Sequence, residues 1–374
     1  MFAGLCLRRG GDMLLSRFNQ IAPLQEVVLL KVSLSLVLAA GVLTMAAGQG
    51  ARAQDAAAFY KGRNLDIVVA SAPGGGYDAY ARIIARHMPK YMSGGPNLVI
   101  RNMPGAGGKN AAAYLADVAP RDGTAMLAAQ PGALVEQILG DPKTVTYKPL
   151  EFQYIGSAES FTSVCVMHSD SAVKSYAELH EKEAVFGGDQ IGATTHDHTV
   201  MFTKLSNAKI KMVSGYKGTT DLVLAIERKE IDGFCGYAWS SLFARSPDLV
   251  NKGTARIINQ LSMTPHPAAT KAGVPSAFDF VKDPLNRQAM ELIATVQEFG
   301  RPYMVHGAVP AARVEFLRAA YDATMKDAEY VAEIQRAGLD ASPLTGAQVL
   351  EKLRRVLEAP KEVQDKARWS ITYP

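Results

Sequence analysis

The chain has 374 residues, of which 48% are hydrophobic and 20% are charged, and its formal net charge is +4 at pH 7. These are ordinary values for a globular protein, and they exclude a disordered or fibrous chain. The net charge is small and no basic stripe with interleaved aromatic residues occurs, so we predict that the protein does not bind nucleic acid.

The first 53 residues have the features of a secretory signal peptide. Arg8 and Arg9 give a positive start, residues 32–47 form an apolar run, and Ala51-Arg52-Ala53 is a small-x-small cleavage site. The apolar run is short for a membrane span. We therefore predict a cleaved signal peptide at 1–53 and a periplasmic protein; an uncleaved membrane anchor is the alternative.

From residue 54 onward, short apolar runs alternate with helical patterns. Strands are predicted near 65–70, 98–100, 124–129, 163–167, 184–186, 210–213, 231–234 and 255–261. Such alternation is typical of an α/β fold with parallel strands. Towards the C-terminus the pattern predicts one helix over 311–337 that ends at Gly338, and another that is capped by Thr345.

Two glycine-rich loops stand where a predicted strand leads into a predicted helix. The first is Pro73-Gly74-Gly75-Gly76-Tyr77-Asp78, and the second is Asn102-Met103-Pro104-Gly105-Ala106-Gly107-Gly108. Glycine lets the backbone turn sharply and lets a ligand approach bare N–H groups. A helix N-terminus adds unpaired donors and a partial positive charge. Together the loops predict a cradle for an anion, typically a phosphate or a carboxylate.

Nucleotide-binding motifs fit these loops poorly. Gly74-x-Gly76-x-x-Ala79 satisfies the relaxed dinucleotide fingerprint, but Arg101 or Asn102 stands where an acidic residue is expected. The second loop lacks both the spacing of a phosphate-binding loop and the Ser or Thr after Lys109. We therefore predict no cofactor.

Catalytic and metal-binding patterns are weak. The sequence contains no G-x-S-x-G elbow and no C-x-x-C, and it offers no evident nucleophile–base pair, so we predict that the protein is not an enzyme. His196 and His198 invite a metal interpretation, but at i and i+2 on a helix their rings point apart. We favour polar residues that open a helix and predict no metal. Asp78, just before a predicted helix, is expected to be an N-cap.

Two cysteines, Cys165 and Cys235, lie in predicted strands of one region. In an oxidising compartment they can form a disulfide. We favour the simpler interpretation that they are two small buried apolar residues.

Motifs from about Phe59 to the C-terminus match one family. Residues 70–78 correspond to a strand followed by P-x-x-G-G-x-x-D, residues 99–108 to V-x-N-x-P-G-A-G-G, and residues 213–218 to V-P-Y-K-G. Two segments depart from the family pattern: residues 122–125 lack the aromatic of D-G-Y-T, and residues 147–152 have Lys and Glu in place of two Asp. On these motifs the chain resembles the periplasmic solute-binding receptors of tripartite tricarboxylate transporters, the Bordetella uptake gene (Bug) or TctC family.

The resemblance implies a two-lobed type II periplasmic binding protein fold, a Venus flytrap of the α/β class with two chain crossovers. Lobe one is expected to hold residues 54–156 and 302–374, and lobe two residues 157–301. The crossovers are expected near 155–156 and 303–309.

The resemblance also implies a function. We expect a monomeric, non-catalytic receptor that captures a small organic carboxylate by hinge closure; di- and tricarboxylates, aromatic acids and acidic amino acids all remain open. The closed form would deliver the ligand to a transporter with one large and one small membrane subunit. A membrane sensor kinase is the alternative partner, and a secreted enzyme is the alternative class.

The expected ligand-binding residues lie in the two glycine-rich loops and in the corresponding segments of lobe two. They are Gly74, Gly75, Gly76, Tyr77, Asp78, Asn102, Gly105, Ala106, Gly107, Gln130, Gly192, Ala193, Thr194, Thr195, Tyr216, Lys217 and Gly218. Lys217 would meet a second carboxylate or remain a solvated surface residue. Tyr237 and Trp239 would line the far pocket or belong to the core.

Overall fold

The computed structural model describes residues 56–189 and 191–372. The predicted signal peptide lies outside the described residues. Within the described segments, no helix is long and apolar enough to cross a membrane.

Eleven strands are formed by the described residues, and their bounds follow in chain order. They are β1 Asn64–Val69, β2 Asn97–Asn102, β3 Ala125–Ala128, β4 Gln153–Ser157, β5 Ser163–His168, β6 Ala184–Gly188, β7 Ile210–Ser214, β8 Gly233–Ala238, β9 Ala255–Leu261, β10 Pro302–Val305 and β11 Leu344–Thr345. Each of the eight predicted strands overlaps one of these. The strands that the sequence pattern did not reveal are β4, β10 and β11.

The α-helices surround two separate sheets. They are α1 Gly76–His87, α2 Lys109–Asp117, α3 Pro131–Leu139, α4 Thr194–Leu205, α5 Thr219–Glu227, α6 Trp239–Arg245, α7 Pro247–Asn251, α8 Pro267–Lys271, α9 Pro284–Glu298, α10 Ala311–Met325, α11 Ala328–Arg336, α12 Gly346–Leu357 and α13 Lys361–Ile371. Short 3₁₀ turns join several of them, including one at Ala106–Gly108.

The first sheet has six strands in the order β11-β4-β10-β3-β1-β2. Strand β1 lies parallel to β2 and β3, whereas β10 lies antiparallel to β3 and β4. All four residues of β3 and of β10 are buried, because helices cover the central strands on both faces.

The second sheet has five strands in the order β7-β6-β8-β5-β9. Strand β6 lies parallel to β7 and β8, and β5 lies antiparallel to β8 and β9. The chain enters this sheet after β4 and returns to the first sheet at β10, so it passes between the sheets twice. The predicted α/β architecture with two crossovers is confirmed; the residue limits of the two lobes stay a prediction.

The C-terminal helices differ in part from the prediction. The single helix expected over 311–337 is two helices, α10 and α11, since the Asp327 side chain accepts the Glu329 N–H and starts a new helix. The predicted cap at Thr345 is confirmed: Thr345 and Gln348 form a reciprocal capping box at the start of α12.

The cysteine prediction is wrong in its preferred form. Cys165 in β5 and Cys235 in β8 are joined by a disulfide. Both residues are fully buried, and the register between these neighbouring strands shifts at this point, which brings the two side chains together. The disulfide therefore ties two adjacent strands of the second sheet.

Candidate functional site

A single cleft brings together loops from both sheets. Its volume is about 760 Å³, and its walls come from the segments that follow β1, β2 and β3 and from those that follow β6, β7 and β8. The carboxyl ends of parallel strands meet at one edge of a sheet, so the loops that follow them face a common crevice.

Four helices begin at the cleft without a side-chain cap. Helices α1, α3, α4 and α5 start at Gly76, Pro131, Thr194 and Thr219, and these residues line the cleft. The preceding residues make no side-chain hydrogen bond to the helix ends. The first N–H groups of a helix have no partner within the helix, and the helix dipole makes this end positive. The cleft therefore favours an anion.

The first glycine-rich loop is held by Asp78. Its carboxylate accepts the N–H of Gly74 at 2.8 Å, Nδ2 of Asn102 at 2.9 Å and Nε of Arg82 at 2.8 Å, and the residue is only 3% exposed. Burial acts to raise the pKa of Asp78, but these hydrogen bonds outweigh it and the pKa is lowered. Asp78 lies in the first turn of α1, whereas the N-cap is Gly75, so the predicted capping role is wrong. Asp78 and Asn102 brace the loop.

The second loop has an unusual backbone. Gly105, Ala106, Gly107 and Gly108 have φ angles of 125°, 49°, 63° and 91°, all in the region that favours glycine. A Cβ on Gly108 would stand 3.1 Å from Cβ of Gln130, so this position also needs its small size. The left-handed run turns the chain from β2 into α2 and leaves Ala106 and Gly107 in the cleft wall.

Gln130, a predicted ligand-binding residue, has a structural partner. Its Nε2 donates to the carbonyl oxygen of Ala70 at 2.7 Å, which ties the start of α3 to the end of β1. Its side chain still lines the cleft.

Across the cleft, Asp197 partly occupies the N-terminus of α4. It accepts the Gly192 N–H at 3.0 Å and contacts Nδ1 of His196 at 3.0 Å. Burial raises the pKa of Asp197. Gly192, Thr194 and Thr195 line the cleft beside it, and a Cβ on Gly132 of the opposite wall would lie 3.9 Å from the Gly192 carbonyl oxygen. The two walls thus approach each other closely at this point.

Arg301 is a buried cation in the cleft wall that the sequence analysis missed. Its Nε donates to Oε2 of Glu159 at 3.1 Å, its guanidinium carbon lies 4.1 Å from the centre of the Tyr77 ring, and a Cβ on Gly76 would stand 2.9 Å from its Nη2. Burial acts to lower the pKa of Arg301, but Glu159, Tyr77 and Tyr80 together outweigh it and the pKa is raised, so the guanidinium stays charged. It therefore adds a positive charge at the start of α1. The only feature of the sequence that pointed to Arg301 was its position as the last residue of predicted lobe two.

Gln297, in the last turn of α9, is the second missed residue. It lines the cleft and is 3% exposed, yet neither its Nε2 nor its Oε1 has a hydrogen-bond partner among the described residues. Ile293, Val296 and Phe161 also line the cleft, and the Phe161 N–H donates to the Gln297 carbonyl oxygen at 3.2 Å. This part of the wall is apolar except for one unsatisfied carboxamide.

The lysine and arginine side chains that line the described cleft all have carboxylate partners. Lys109 lies 2.7 Å from Glu136, Arg301 3.1 Å from Glu159, and Arg368 3.6 Å from Asp365. His198 adds no charge, because burial lowers its pKa to about 3.

A serine and a histidine that are distant in sequence meet behind the cleft. Oγ of Ser163 lies 2.9 Å from Nδ1 of His198. Such a pair resembles a nucleophile and base, and it could not be recognised in the sequence because 35 positions separate the residues. Ser163 is 1% exposed and does not line the cleft, so a substrate in the cleft has no access to its hydroxyl. His196 contacts Asp197.

The predicted ligand-binding residues divide into two groups. Those that line the cleft are Gly76, Tyr77, Ala106, Gly107, Gln130, Gly192, Ala193, Thr194 and Thr195. Those that do not are Gly74, Gly75, Asp78, Asn102, Gly105, Tyr216, Lys217 and Gly218.

The residues of the second group either brace the loops that line the cleft or stand close to cleft-lining residues in the chain. Gly218 is the N-cap of α5, and the next residue, Thr219, lines the cleft. Of the two aromatic residues left open, Tyr237 lines the cleft, whereas Trp239 stacks on His266 with ring centres 4.6 Å apart.

Comparisons with known sequences give partial matches. No family model matches the chain. A UPF0065 protein of Pseudomonas sp. (strain P51) is 27% identical over 199 residues, which are 52% of this chain and 57% of the relative. A UPF0065 protein of Agrobacterium vitis is 30% identical over 184 residues, which are 46% and 51% of the two chains. The chain thus spans little more than half the length of these relatives.

Solved structures match over most of the chain. The periplasmic binding protein BugD has a TM-score of 0.62 at 19% identity, with 82% of this chain and 98% of BugD covered. MatC from Rhodopseudomonas palustris, with bound malate, has a TM-score of 0.59 at 17% identity, and the match covers 81% of this chain and 99% of MatC. A second R. palustris protein, with adipate, has a TM-score of 0.61 at 19% identity, and the match covers 82% of this chain and 97% of that protein. The chain has the two-sheet fold of periplasmic binding proteins, and its predicted resemblance to the TctC and Bug receptors is confirmed.

Proposed function

We propose that this protein is a non-catalytic periplasmic receptor for a small organic carboxylate. The observation that supports this most strongly is the meeting of four uncapped helix N-termini and buried Arg301 on one cleft. Carboxylates are stabilised by helix N-termini and by charge-assisted hydrogen bonds. MatC and the adipate-bound protein carry acids of this class.

In this proposal the carboxylate lies at the start of α1. The N–H groups of Gly76 and Tyr77 donate to it, and Nη2 of Arg301 supplies the charge. Ala106 and Gly107 of the second loop approach from the same wall, while Thr194 and Thr195 close from the other. The supporting contacts are those of Asp78 with Gly74 and Asn102, which hold the first loop in place.

Closure of the cleft is the proposed output. We propose lobes of 54–156 plus 302–374 and of 157–301, which move about the two crossovers. A ligand that touches both walls favours the closed state by its differential affinity for that state. The closed form would dock on a transporter with a large and a small membrane subunit. A cross-linking experiment with both membrane subunits tests this, and capture of a sensor-kinase ectodomain instead would support the alternative partner.

A thermal-shift screen tests the ligand class. The panel holds mono-, di- and tricarboxylates, aromatic acids, acidic amino acids, NADH and ATP. Binding to the native state alone raises stability by about 2.7 kcal/mol at a hundredfold excess over Kd, so one acid should raise the melting temperature clearly. A shift with NADH or ATP and with no organic acid would overturn the proposal, and consumption of the bound acid would indicate an enzyme.

A further inference from the structure

The carboxamide of Gln297 is an unexplained polar group in the cleft wall. Both of its polar atoms are buried and unpaired among the described residues, although the residue lies in the ligand cleft. Leaving a buried donor or acceptor unsatisfied costs about 1–3 kcal/mol, so native proteins rarely keep such a group without a purpose. A ligand that fills the cleft would supply the missing partners.

The chemistry of that partner follows from the carboxamide itself. Gln297 offers one donor group, Nε2, and one acceptor, Oε1. A carboxylate only accepts hydrogen bonds, so it would satisfy Nε2 and leave Oε1 beside a negative charge. A carboxamide or a hydroxyl group both donates and accepts, and either one can satisfy both atoms of Gln297.

The charges of the cleft lead to the same class of ligand. Arg301, which is itself paired with Glu159, stands at the start of α1, where the first carboxylate is proposed to bind. Lys109 and Arg368 are paired with Glu136 and Asp365, and Asp197 lines the cleft as well. With Arg301 and the start of α1 engaged by the first carboxylate, a second one would lose its hydration beside cations that already have carboxylate partners, which is unfavourable in a partly dry site.

The surroundings of Gln297 in the cleft wall are apolar. It lies four residues before Arg301 in the sequence, beside the apolar residues Ile293, Val296 and Phe161. A short methylene chain fits such a wall, because burying apolar surface against it is favourable. The cleft wall then offers a cation at Arg301, apolar side chains and one neutral polar group.

We propose that Gln297 recognises a neutral polar group of the ligand, and that this receptor prefers a monocarboxylate with a carboxamide or hydroxyl terminus over a dicarboxylate of equal length. The inference rests on the proposed carboxylate receptor function and specifies its substrate class. Gln297 is in this account a specificity-determining residue that contacts the ligand.

Calorimetric titration with two matched series tests the inference. Succinamate, 4-hydroxybutyrate, succinate and butyrate share one length, and the monoamide of adipate, 6-hydroxyhexanoate, adipate and hexanoate share another. In at least one series the wild type should bind the amide or hydroxyl acid at least about tenfold more tightly than the dicarboxylate and the methyl-ended acid, since a site built to hydrogen-bond a group rejects analogues that lack it.

Gln297→Met keeps the length of the side chain and removes its polar atoms. It should abolish the tenfold preference and leave the affinity for the methyl-ended acid within about threefold of the wild-type value. Gln288→Met, on the exposed face of the same helix, is the matched control and should keep the preference. Melting temperatures of both variants check that they fold.

The outcomes separate the two proposals. The inference is overturned, and the carboxylate receptor left intact, if neither series shows the tenfold preference, including the case in which only another acid of the panel binds. An unchanged preference in Gln297→Met overturns it as well. If no acid of either series or of the wider carboxylate panel binds the wild type, the proposed function fails and the inference fails with it.

Discussion

Arg301 lies against Gly76, since a Cβ on Gly76 would stand only 2.9 Å from Nη2 of Arg301 and 3.5 Å from Oγ of Ser241. Gly76 is the first residue of α1, and its lack of a side chain lets the guanidinium reach the helix N-terminus. A backbone dipole and a buried cation therefore act at the same place, and both favour an anion.

Gly76→Ala is expected to weaken carboxylate binding by about tenfold, or about 1.4 kcal/mol, because the new methyl group displaces Arg301. The free energy of unfolding should change by less than about 1 kcal/mol, since Ala is the better helix former. Titration calorimetry and urea unfolding measure the two quantities. Gly75→Ala is the control: its Cβ would have 3.5 Å of room beside Ala72 and the residue does not line the cleft. Wild-type affinity in Gly76→Ala would contradict this account.

Removing Arg301 alone should destabilise the protein more than removing the whole ion pair. Arg301→Met leaves Glu159 buried without its cation, which typically costs about 3–5 kcal/mol. The double variant Arg301→Met/Glu159→Gln should recover most of that loss, while carboxylate binding remains weak in both. Urea unfolding at pH 7.5 gives the comparison. A double variant that is as unstable as the single variant would show that the pair does not act as a unit.

Stability should depend on pH through His198. Its pKa is lowered from 6.5 to about 3 by burial, so the folded protein holds it neutral. Protons bind the unfolded state as the pH falls below about 6.5, and stability declines from there down to the folded pKa of about 3. Protonation of this group alone should lower the free energy of unfolding by about 1.4 kcal/mol when the pH falls from 7.5 to 5.5.

His198→Asn isolates that contribution. Its amide can keep a hydrogen bond to Ser163, and the comparison with the wild type removes every contribution that the two proteins share. Urea unfolding at pH 7.5 and 5.5 should show that the variant loses about 1.4 kcal/mol less of its free energy of unfolding than the wild type does. An equal loss in both proteins would mean that His198 titrates normally when the protein is folded.

The disulfide should make a measurable contribution to stability. Replacing both cysteines by alanine in a chain that begins at Gln54 should lower the free energy of unfolding by about 2–4 kcal/mol, because the unfolded chain is no longer cross-linked. The bond spans 70 positions. Alkylation of the oxidised protein, unfolded without a reductant, should label neither Cys165 nor Cys235. Labelling of both would show that the bond does not form.

The local features of the fold were readable from the sequence, and the long-range contacts were not. The two glycine-rich loops, the helix starts after them and the cap at Thr345 depend on residues close together in the chain. Arg301 meets Gly76, and Ser163 meets His198, only because the chain returns to the same cleft after a long excursion. No local pattern encodes such a contact.

The distinction between lining the cleft and supporting it also required the structure. Gly75 and Gly76 look alike in the sequence, yet only Gly76 lines the cleft. Asp78 was predicted as a ligand contact and a cap, but its three hydrogen bonds brace the loop from within. The unpaired amide of Gln297 depends on its burial, which a glutamine near a helix end does not reveal.

The central claim is that a carboxylate binds at the start of α1 beside Arg301. A crystal structure with the acid that binds most tightly tests it directly. The account predicts one carboxylate within about 3 Å of the N–H groups of Gly76 or Tyr77 and of a guanidinium nitrogen of Arg301. An acid bound elsewhere, with the start of α1 facing only solvent, would contradict the account.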